Sequence, residues 1–451
     1  MMFSAEQLAL ATQGRLVTGG THGRVCTDTR KVQAGDWFLA IRGERFDAHE
    51  FLATAVDAGA TGVIAEQVPD GWSAGLITVK DGLDALQNLA RFVRGQFNGP
   101  VVGITGSAGK TTTRTMIGLA LEGLGSVHQT AGNFNNHIGL PLTLLDVPEN
   151  TDALVLEMGM NHAGEIDLLQ EIGRPTIRLI TNVGAAHLQG LGSIEAIAAA
   201  KGEMFDGAKP GDHICVNDDD PRVRALAIPQ GTTVLRYGTS ADCDLRLLEA
   251  TVDPDELSTK FTVGQGTNRW TGRLLSPGIH MAHNAVAALS VGVALGLDVP
   301  SMLARIETYE PVGMRLRIEV GPGGIRVIND AYNANPMSVA ANLKTLAAIP
   351  RAANRRRVAL LGDMLELGPT EIEQHAETAR FAHGLDLDLV GFAGPRFTEA
   401  LEGAGHCAPD AVELTKQIRD LLLPGDILFI KGSRGMKMER VLNELTPKEI
   451  A

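Results

Sequence analysis

This sequence predicts an α/β protein of three domains, on three observations. Its 451 residues are too many for one hydrophobic core. From about residue 100 onward, short apolar runs that read as strands alternate with helical stretches, which builds mostly parallel sheets with helices on both faces. Residues 103–112 read G-I-T-G-S-A-G-K-T-T and join one such strand to one such helix, as a phosphate-binding loop does. The expected domains are 1–85, 86–312 and 313–451.

The first block mixes short helices and strands. Turn signals stand at Gly19-Gly20, Ala34-Gly35-Asp36 and Gly43-Glu44. A small helix is expected at 53–60 and a strand at 62–65. The second block begins its alternation with a strand at 101–104 and a helix at 111–124. Strands follow at 153–157, ending in Glu157, and at 177–181, running into Asn182-Val183-Gly184. A helix is expected at 194–200 and a strand at 213–217. Residues 231–275 read as β-rich and irregular, and an Ala-rich helix at 283–295 closes the block.

The third block begins near 311–315 and alternates again. Strands are expected at 325–328, 358–361, 389–392 and 427–430, with helices at 338–346, 371–383, 411–422 and 437–445. This is a Rossmann-like unit without G-x-G-x-x-G, so it is not read as a dinucleotide site. Gly432-Ser433-Arg434-Gly435 follows its last strand and opens a helix. Such a turn either binds an anion or simply connects.

Ligands gather at the carboxyl ends of strands in sheets of this kind. In the loop at 103–112, glycines let backbone N–H groups face one point, and the helix N-terminus adds a positive dipole end. Lys110 can reach β- and γ-phosphates, and the Thr111 hydroxyl can ligate Mg²⁺. The general pattern G-x-x-x-x-G-K-[ST] places its first glycine at position 104, where this chain has Ile104. What remains is T-G-S-A-G-K-T-T: Thr105, Gly106, Ser107, Ala108, Gly109, Lys110, Thr111 and Thr112. A Gly/Ser-rich turn without ligand is the competing reading.

Composition narrows the function further. A formal charge of −13 argues against general binding to nucleic acid or a membrane surface. Anionic substrates must therefore meet local positive groups. Cys26, Cys215, Cys243 and Cys407 are widely spaced and form no C-x-x-C pair, which predicts reduced thiols in the cytoplasm and no zinc site. No secretion signal and no membrane span is expected.

Other polar groups admit two readings each. Glu157, ending an apolar strand, suits a metal-holding acid, a helix cap or a solvated strand end. His187, just past another strand end, is a site residue or a surface histidine. Lys201 at the end of an Ala-rich helix is explained by the helix dipole alone. Asn133, Asn135 and Asn136 among glycines either hold a ligand or form Asx turns. Residues 330–335, D-A-Y-N-A-N, are a ligand loop or a turn with an N-cap.

With these motifs in place, the chain resembles the Mur ligases of peptidoglycan synthesis over essentially its whole length. Within that family it looks most like the branch that adds D-alanyl-D-alanine to UDP-N-acetylmuramoyl-tripeptide. The displaced glycine of the loop is the family's form of the P-loop. The run from Gly132 to Thr143 (G-N-F-N-N-H-I-G-L-P-L-T), Glu157-Met158-Gly159 with Gly164-Glu165-Ile166, Asn182-Val183-Gly184 through His187, and Lys201-Gly202-Glu203 carry the likeness. The resemblance implies an N-terminal UDP-sugar domain, a central ATPase-like domain and a C-terminal Rossmann-like domain.

It also implies roles residue by residue. Asp28, Thr29 and Arg30, with Arg42, Gly43, Asp47 and His49, belong to the UDP-sugar site. Thr29 and Ala48 stand where relatives commonly carry Ser and Gly. Asn135 and Asn136 face the UDP-muramoyl substrate. Asn284 lies on the adenine side, and Arg315, Asp330 and Asn333 reach ATP from the last domain. Lys201 is carbamylated in several relatives; a carbamate is an anion with oxygen ligands, and it forms only from a neutral amine. Thr111, Glu157, His187 and Lys201 are then the Mg²⁺ residues, with Lys110, Glu157, His187 and Lys201 as the catalytic set.

The implied chemistry is ATP-driven amide formation through an acyl phosphate, with ATP and Mg²⁺ required and a monomer expected. Rivals are readable too. The family's diaminopimelate-adding ligases carry Asp-Asn-Pro-Arg in the last domain, whereas this chain has Asn333-Ala334-Asn335-Pro336. A folate ligase is not expected to match the pattern around Asp28. A GTPase switch needs a guanine reader of the N-K-x-D kind, and none is present.

Overall fold

The structure, a computed structural model, describes residues 1–43, 46–185, 188–351 and 355–445. The chain forms two compact units that interleave in sequence. The first holds Met1–Gly103, Leu124–Gly159 and Glu165–Thr176; the second holds Ile104–Gly123, Met160–Gly164 and the chain from Ile177 onward.

The first unit contains a five-stranded sheet in the order Arg15–Thr18, Gly75–Thr78, Gly62–Ala65, Trp37–Leu39, Val25–Cys26. The first pair is antiparallel and the rest parallel. Alternation along Trp37-Phe38-Leu39 explains how both faces are filled. Trp37 and Leu39 pack with Leu86, Leu89 and Val93 of the helix Gly82–Gln96. Phe38 points the other way, onto Leu52 and Ala55 of the helix Leu52–Asp57. The strand expected at 62–65 is where it was placed; the helix expected at 53–60 runs Leu52–Asp57.

In the same unit, Val127–Gln129 pairs in parallel with Ala153–Glu157. The helices Gly139–Leu145 and Glu165–Gly173 pack on Gly82–Gln96. Arg94 of that long helix is buried and donates to Gly173 O and Arg174 O, both at 2.7 Å, and to Phe97 O at 2.9 Å. It satisfies carbonyls that a helix C-terminus leaves without partners.

The second unit carries two sheets. One continues in the order Ile177–Ile180, His213–Asn217, Thr233–Gly238, Leu245–Asp253, Ser258–Gln265, Asn268–Leu274. Its first members are parallel, and the last three form an antiparallel ribbon. The β-rich reading of 231–275 holds, but the stretch is regular. The helix Lys110–Leu121 packs against Ile279–Ala294 and Val299–Ile306.

The other sheet has the order Arg317–Val320, Arg326–Asp330, Ile427–Lys431, Arg357–Gly362, Leu389–Ala393, His406–Ala408. Only the first pair is antiparallel. Val327, Val358, Leu360, Leu428 and Ile430 form its core with Leu414, Ile418 and Val441. The four strands expected in this block are present; the short edge strands Arg317–Val320 and His406–Ala408 were too brief to read.

Two helix expectations change. The helix expected at 194–200 runs Ile194–Asp206. The Gly432–Gly435 run opens no α-helix. It leads into the 3₁₀ turn Arg434–Met436, Lys437 takes the left-handed conformation at φ +51°, and a helix starts only at Arg440. The aligned N–H groups that an anion site requires are therefore not assembled there. No described helix is long and apolar enough to cross a membrane.

Candidate active site

The phosphate loop connects the strand Val101–Thr105 to the helix Lys110–Leu121. Two left-handed glycines shape it, Gly106 at φ +151° and Gly109 at φ +78°. Neither tolerates a side chain. A Cβ on Gly106 would lie 1.8 Å from Thr181 Oγ1, and one on Gly109 would lie 2.8 Å from Asn284 Oδ1. The second contact brings Asn284, on the helix Ile279–Ala294, to the end of the loop.

The expected strand end at Thr181–Gly184 is a brace for this loop. Asn182 O accepts from Ser107 N at 3.0 Å, and Asn182 Oδ1 accepts from Ala108 N at 2.9 Å. Thr181 Oγ1 donates to Ala108 O at 2.7 Å. The Ser107 hydroxyl donates to Gly184 O and accepts from Gly184 N. Thr181 N in turn donates to Thr105 O at 2.9 Å, which closes the brace at the strand. The Lys110 ammonium folds back across the loop and donates to Gly106 O at 2.7 Å. Thr111 and Thr112, in the first helical turn, are buried. The arrangement is a rigid cradle with a cation over it at the positive end of a twelve-residue helix.

Lys201 is the largest surprise. Its helix continues past it to Asp206, so it lies in the helix interior and the helix dipole does not explain it. It is 1 % exposed. Burial, with Lys110's charge adding to it, pushes its pKa well below the usual lysine value. A neutral amine is the state that carbamylation requires. The helix is anchored by Arg178, whose guanidinium donates to Met204 O at 2.8 Å and Gly207 O at 2.7 Å.

Glu157 ends its strand buried, 2 % exposed, which removes the solvated-end reading. Its Oε1 accepts from Asn135 Nδ2 at 2.8 Å. Asn136 behaves differently: its Oδ1 accepts from Ile138 N and Gly139 N, an Asx turn at the start of Gly139–Leu145. Asn136 thus fits the Asx-turn reading, while its neighbour Asn135 holds the Glu157 carboxylate. His187 lies outside the described residues. Among the described residues no three His, Cys, Asp or Glu side chains gather as a metal cluster.

Arg315 stacks over Tyr332, with Cζ 3.7 Å from the ring centroid. Asp330 ends its strand, accepts from Asn342 Nδ2 at 2.7 Å, and pairs with Lys431. Lys431 also donates to Asn333 O at 2.9 Å. Asn335 caps the helix Pro336–Ala348 in a capping box with Ser338, and its Nδ2 donates to Ser107 O at 3.3 Å. The turn-with-cap reading of this segment holds, and its cap also reaches the phosphate loop.

The expected UDP-sugar residues form two linked pairs. Asp28 caps the 3₁₀ turn Thr29–Lys31 and holds Arg30 through two hydrogen bonds of 2.8 and 2.7 Å. Arg30 keeps the Asp28 carboxyl low, at about 2. Arg42, just before Gly43, donates to Asp47 Oδ2 at 2.8 Å and pairs with Glu66. Arg42 and then His49 hold Asp47 well below the usual carboxylate range. Because His49 Nε2 accepts from Glu66 N, its Nδ1 carries the proton and donates to Asp47 Oδ1.

Sequence reasoning missed Lys431, Asn342, Arg178 and Glu66. The N-cap read at the end of 330–335 is Asn335, before Pro336. The missed residues depend on partners elsewhere in the sequence, as Lys431 and Asp330 do, 101 residues apart.

Comparison with known proteins gives a consistent picture. Residues 104–292 match the Mur ligase middle domain, and residues 314–434 match the Mur ligase glutamate ligase domain. The UDP-N-acetylmuramoyl-tripeptide–D-alanyl-D-alanine ligase of Bacillus subtilis is 38% identical over 434 residues, 94% of this chain and 93% of that one. The Escherichia coli ligase of the same name is 33% identical, over 93% of both chains. Among solved structures, MurF from Acinetobacter baumannii superposes with a TM-score of 0.91 at 31% identity, covering 99% of each chain. MurF from Thermotoga maritima, determined in complex with ADP, gives 0.84 at 30% identity, covering 94% of this chain and 97% of that one.

Proposed function

The chain belongs to the Mur ligase family, and from that premise we propose that it joins D-alanyl-D-alanine to UDP-N-acetylmuramoyl-tripeptide. ATP is split to ADP and phosphate, and UDP-N-acetylmuramoyl-pentapeptide is formed. The observation that carries this reading is likeness to ligases of that name over almost the whole chain, at 38% identity in one case. The braced loop with Lys110 across it supports the ATP half of the reaction.

The tripeptide's terminal carboxylate repels an amine and has no good leaving group. It first attacks the γ-phosphorus of ATP, and ADP departs. The loop N–H groups, the helix end and Lys110 hold the phosphates and neutralise developing charge. The amine of D-alanyl-D-alanine then attacks the acyl carbon, phosphate leaves with the C–O electron pair, and the ammonium proton passes to solvent. Asn284 would hold the adenine side, and Arg315, Asp330 and Asn333 would meet the nucleotide from the last domain. Asp28, Thr29, Arg30, Arg42, Gly43, Asp47 and His49, with Asn135 and Asn136, would hold the UDP-sugar.

Hard oxygen donors at Thr111 and buried Glu157 suit Mg²⁺, with His187 and carbamylated Lys201 as further ligands. When bound, the ion neutralises triphosphate charge. Carbamylation is attack of the neutral Lys201 amine on CO₂, with loss of one proton to solvent. Residues 1–85, 86–312 and 313–451 would divide UDP-sugar binding, ATP binding and dipeptide binding with closure. Substrates of this kind put the reaction in the cytoplasm.

The test is incubation with ATP, Mg²⁺, UDP-N-acetylmuramoyl-tripeptide and D-alanyl-D-alanine, omitting each in turn, with phosphate release and product mass as readouts. Phosphate that requires both peptide substrates, with the pentapeptide mass, is the expected result. Phosphate without that product overturns the acceptor assignment.

A further inference from the structure

Lys431 is a buried lysine that the mechanism above does not use. It ends the strand Ile427–Lys431 at 3 % exposure, and its register partner on the neighbouring parallel strand is Asp330. Its ammonium pairs with Asp330 Oδ2, and the same oxygen accepts from Asn342 Nδ2. A buried ion pair is weak evidence for stability, because well-packed apolar residues of similar volume often do as well or better. A different reason for this pair is visible in what else Lys431 holds.

Its second contact is Asn333 O, so one ammonium ties together both ends of the Asp330–Asn333 turn. Two residues further on, Asn335 reaches the phosphate loop at Ser107 O. Met337 follows and packs on Gly184, where a Cβ would lie 2.7 Å from Met337 Sδ. The turn therefore rests on the phosphate loop and on the strand end that braces it. His280, on the first turn of Ile279–Ala294, lies within electrostatic reach. Burial, and then Lys431, lower its pKa to about 4, so it adds no second positive charge beside Lys431 at pH 7.

We propose that Lys431 is a positioning residue for the nucleotide: it holds the Asp330–Asn335 turn in the shape that lets Asn335 engage the phosphate loop at Ser107. The inference rests on the ligase reading only in taking ATP as the ligand.

The test uses the full chain. Lys431→Met should raise KM for ATP at least tenfold and leave KM for D-alanyl-D-alanine within twofold. Asn335→Ala should reproduce the ATP effect. A role confined to folding would instead lower Tm and disturb both constants together. Where Lys431→Met folds poorly, Asp330→Asn/Lys431→Met leaves no unpaired buried charge and is compared with Asp330→Asn alone. A ratio within twofold supports action through Asp330, whereas a further tenfold loss would place Lys431 on the nucleotide itself and overturn the proposal. An unchanged KM for ATP in folded Lys431→Met also overturns it. ADP affinity by calorimetry gives the same comparison without turnover, so a wild-type chain that makes no pentapeptide would strike the ligase reading and leave this one testable.

Discussion

Replacing Lys201 by methionine tests whether the buried amine is neutral. Lys201 is 1 % exposed inside the helix Ile194–Asp206, and burial and then Lys110 lower its pKa well below the ordinary value. Unfolding returns it to water, where a lysine titrates near 10.4. Between the folded and unfolded values the unfolded chain binds one more proton than the folded one. Stability therefore rises with pH across that window, by up to about 1.4 kcal/mol per pH unit. Two pH units inside it amount to about 3 kcal/mol. Methionine has no proton to release and nearly the same length, and such swaps usually cost under about 1.5 kcal/mol. Lys201→Met should flatten the pH slope by this amount and gain most at the acid end of the window. The assay is denaturant unfolding of both proteins over a pH series in carbonate-free buffer. Bicarbonate should then stabilise the wild type alone, because a carbamate formed only in the folded state acts as a bound ligand. Parallel pH curves for the two proteins would show that Lys201 is charged when folded, and the carbamate proposal would fall with that result.

Three further perturbations test the site at other points. Lys110→Ala should lower kcat on the order of 10²–10³-fold, the usual effect of losing one charge-stabilising donor, while leaving Tm nearly unchanged; near-normal turnover would remove Lys110 from the phosphate site. Gly106→Ala places a methyl 1.8 Å from Thr181 Oγ1 at a φ of +151°. It should cost about 1–3 kcal/mol of stability and most of the turnover, so a variant with wild-type Tm and rate would refute the loop geometry. Asp28→Asn breaks an exposed pair and should change stability by less than about 1 kcal/mol. KM for the UDP-tripeptide should nevertheless rise on the order of tenfold, with KM for ATP unmoved; a rise in both constants would argue for a general structural role.

Much of the site was legible because its chemistry is local in sequence. The loop from Thr105 to Thr112 needs glycines, a lysine and a threonine in fixed order, and that order survives in one run of residues. Glu157 and Asn182 could be placed because strands in alternating sequences present their ends to ligands. The end of the helix that carries Lys201 was misplaced for a definite reason. Ala-rich helices give few boundary signals, and ending the helix at Ala200 left the lysine at a terminus, where it needed no explanation. Six more helical residues put it in the interior. Lys431 was invisible because nothing within 90 residues of it in sequence names its partner, Asp330. Asn135 and Asn136 could not be separated, since both fit an Asx turn until one is seen to donate to Glu157 and the other to accept from Gly139.

The placement of the two lysines in the ATP-binding unit follows from a conflict of charges. A chain of net charge −13 must attract a nucleotide triphosphate and, on the proposed mechanism, admit Mg²⁺ beside it. Lys110 and Lys201 lie close enough for each charge to oppose the other. Burial decides between them. Lys110 is partly exposed and its ammonium is held by Gly106 O, while Lys201 is buried, and that burial, with Lys110's charge, pushes its pKa well below the usual lysine value. Only a neutral amine is nucleophilic, so the carbamate proposal assigns CO₂ capture to Lys201 rather than Lys110. On that proposal a carbamate would turn a repulsion with Lys110 into an attraction and would add an anion to the proposed Mg²⁺ residues. Removing Lys110 should therefore act twice. It takes a cation from the phosphates, and it lets Lys201 hold its proton more tightly, so bicarbonate should stabilise Lys110→Ala less than wild type at the same pH. Equal stabilisation in the two proteins would show that Lys110 has no part in preparing Lys201.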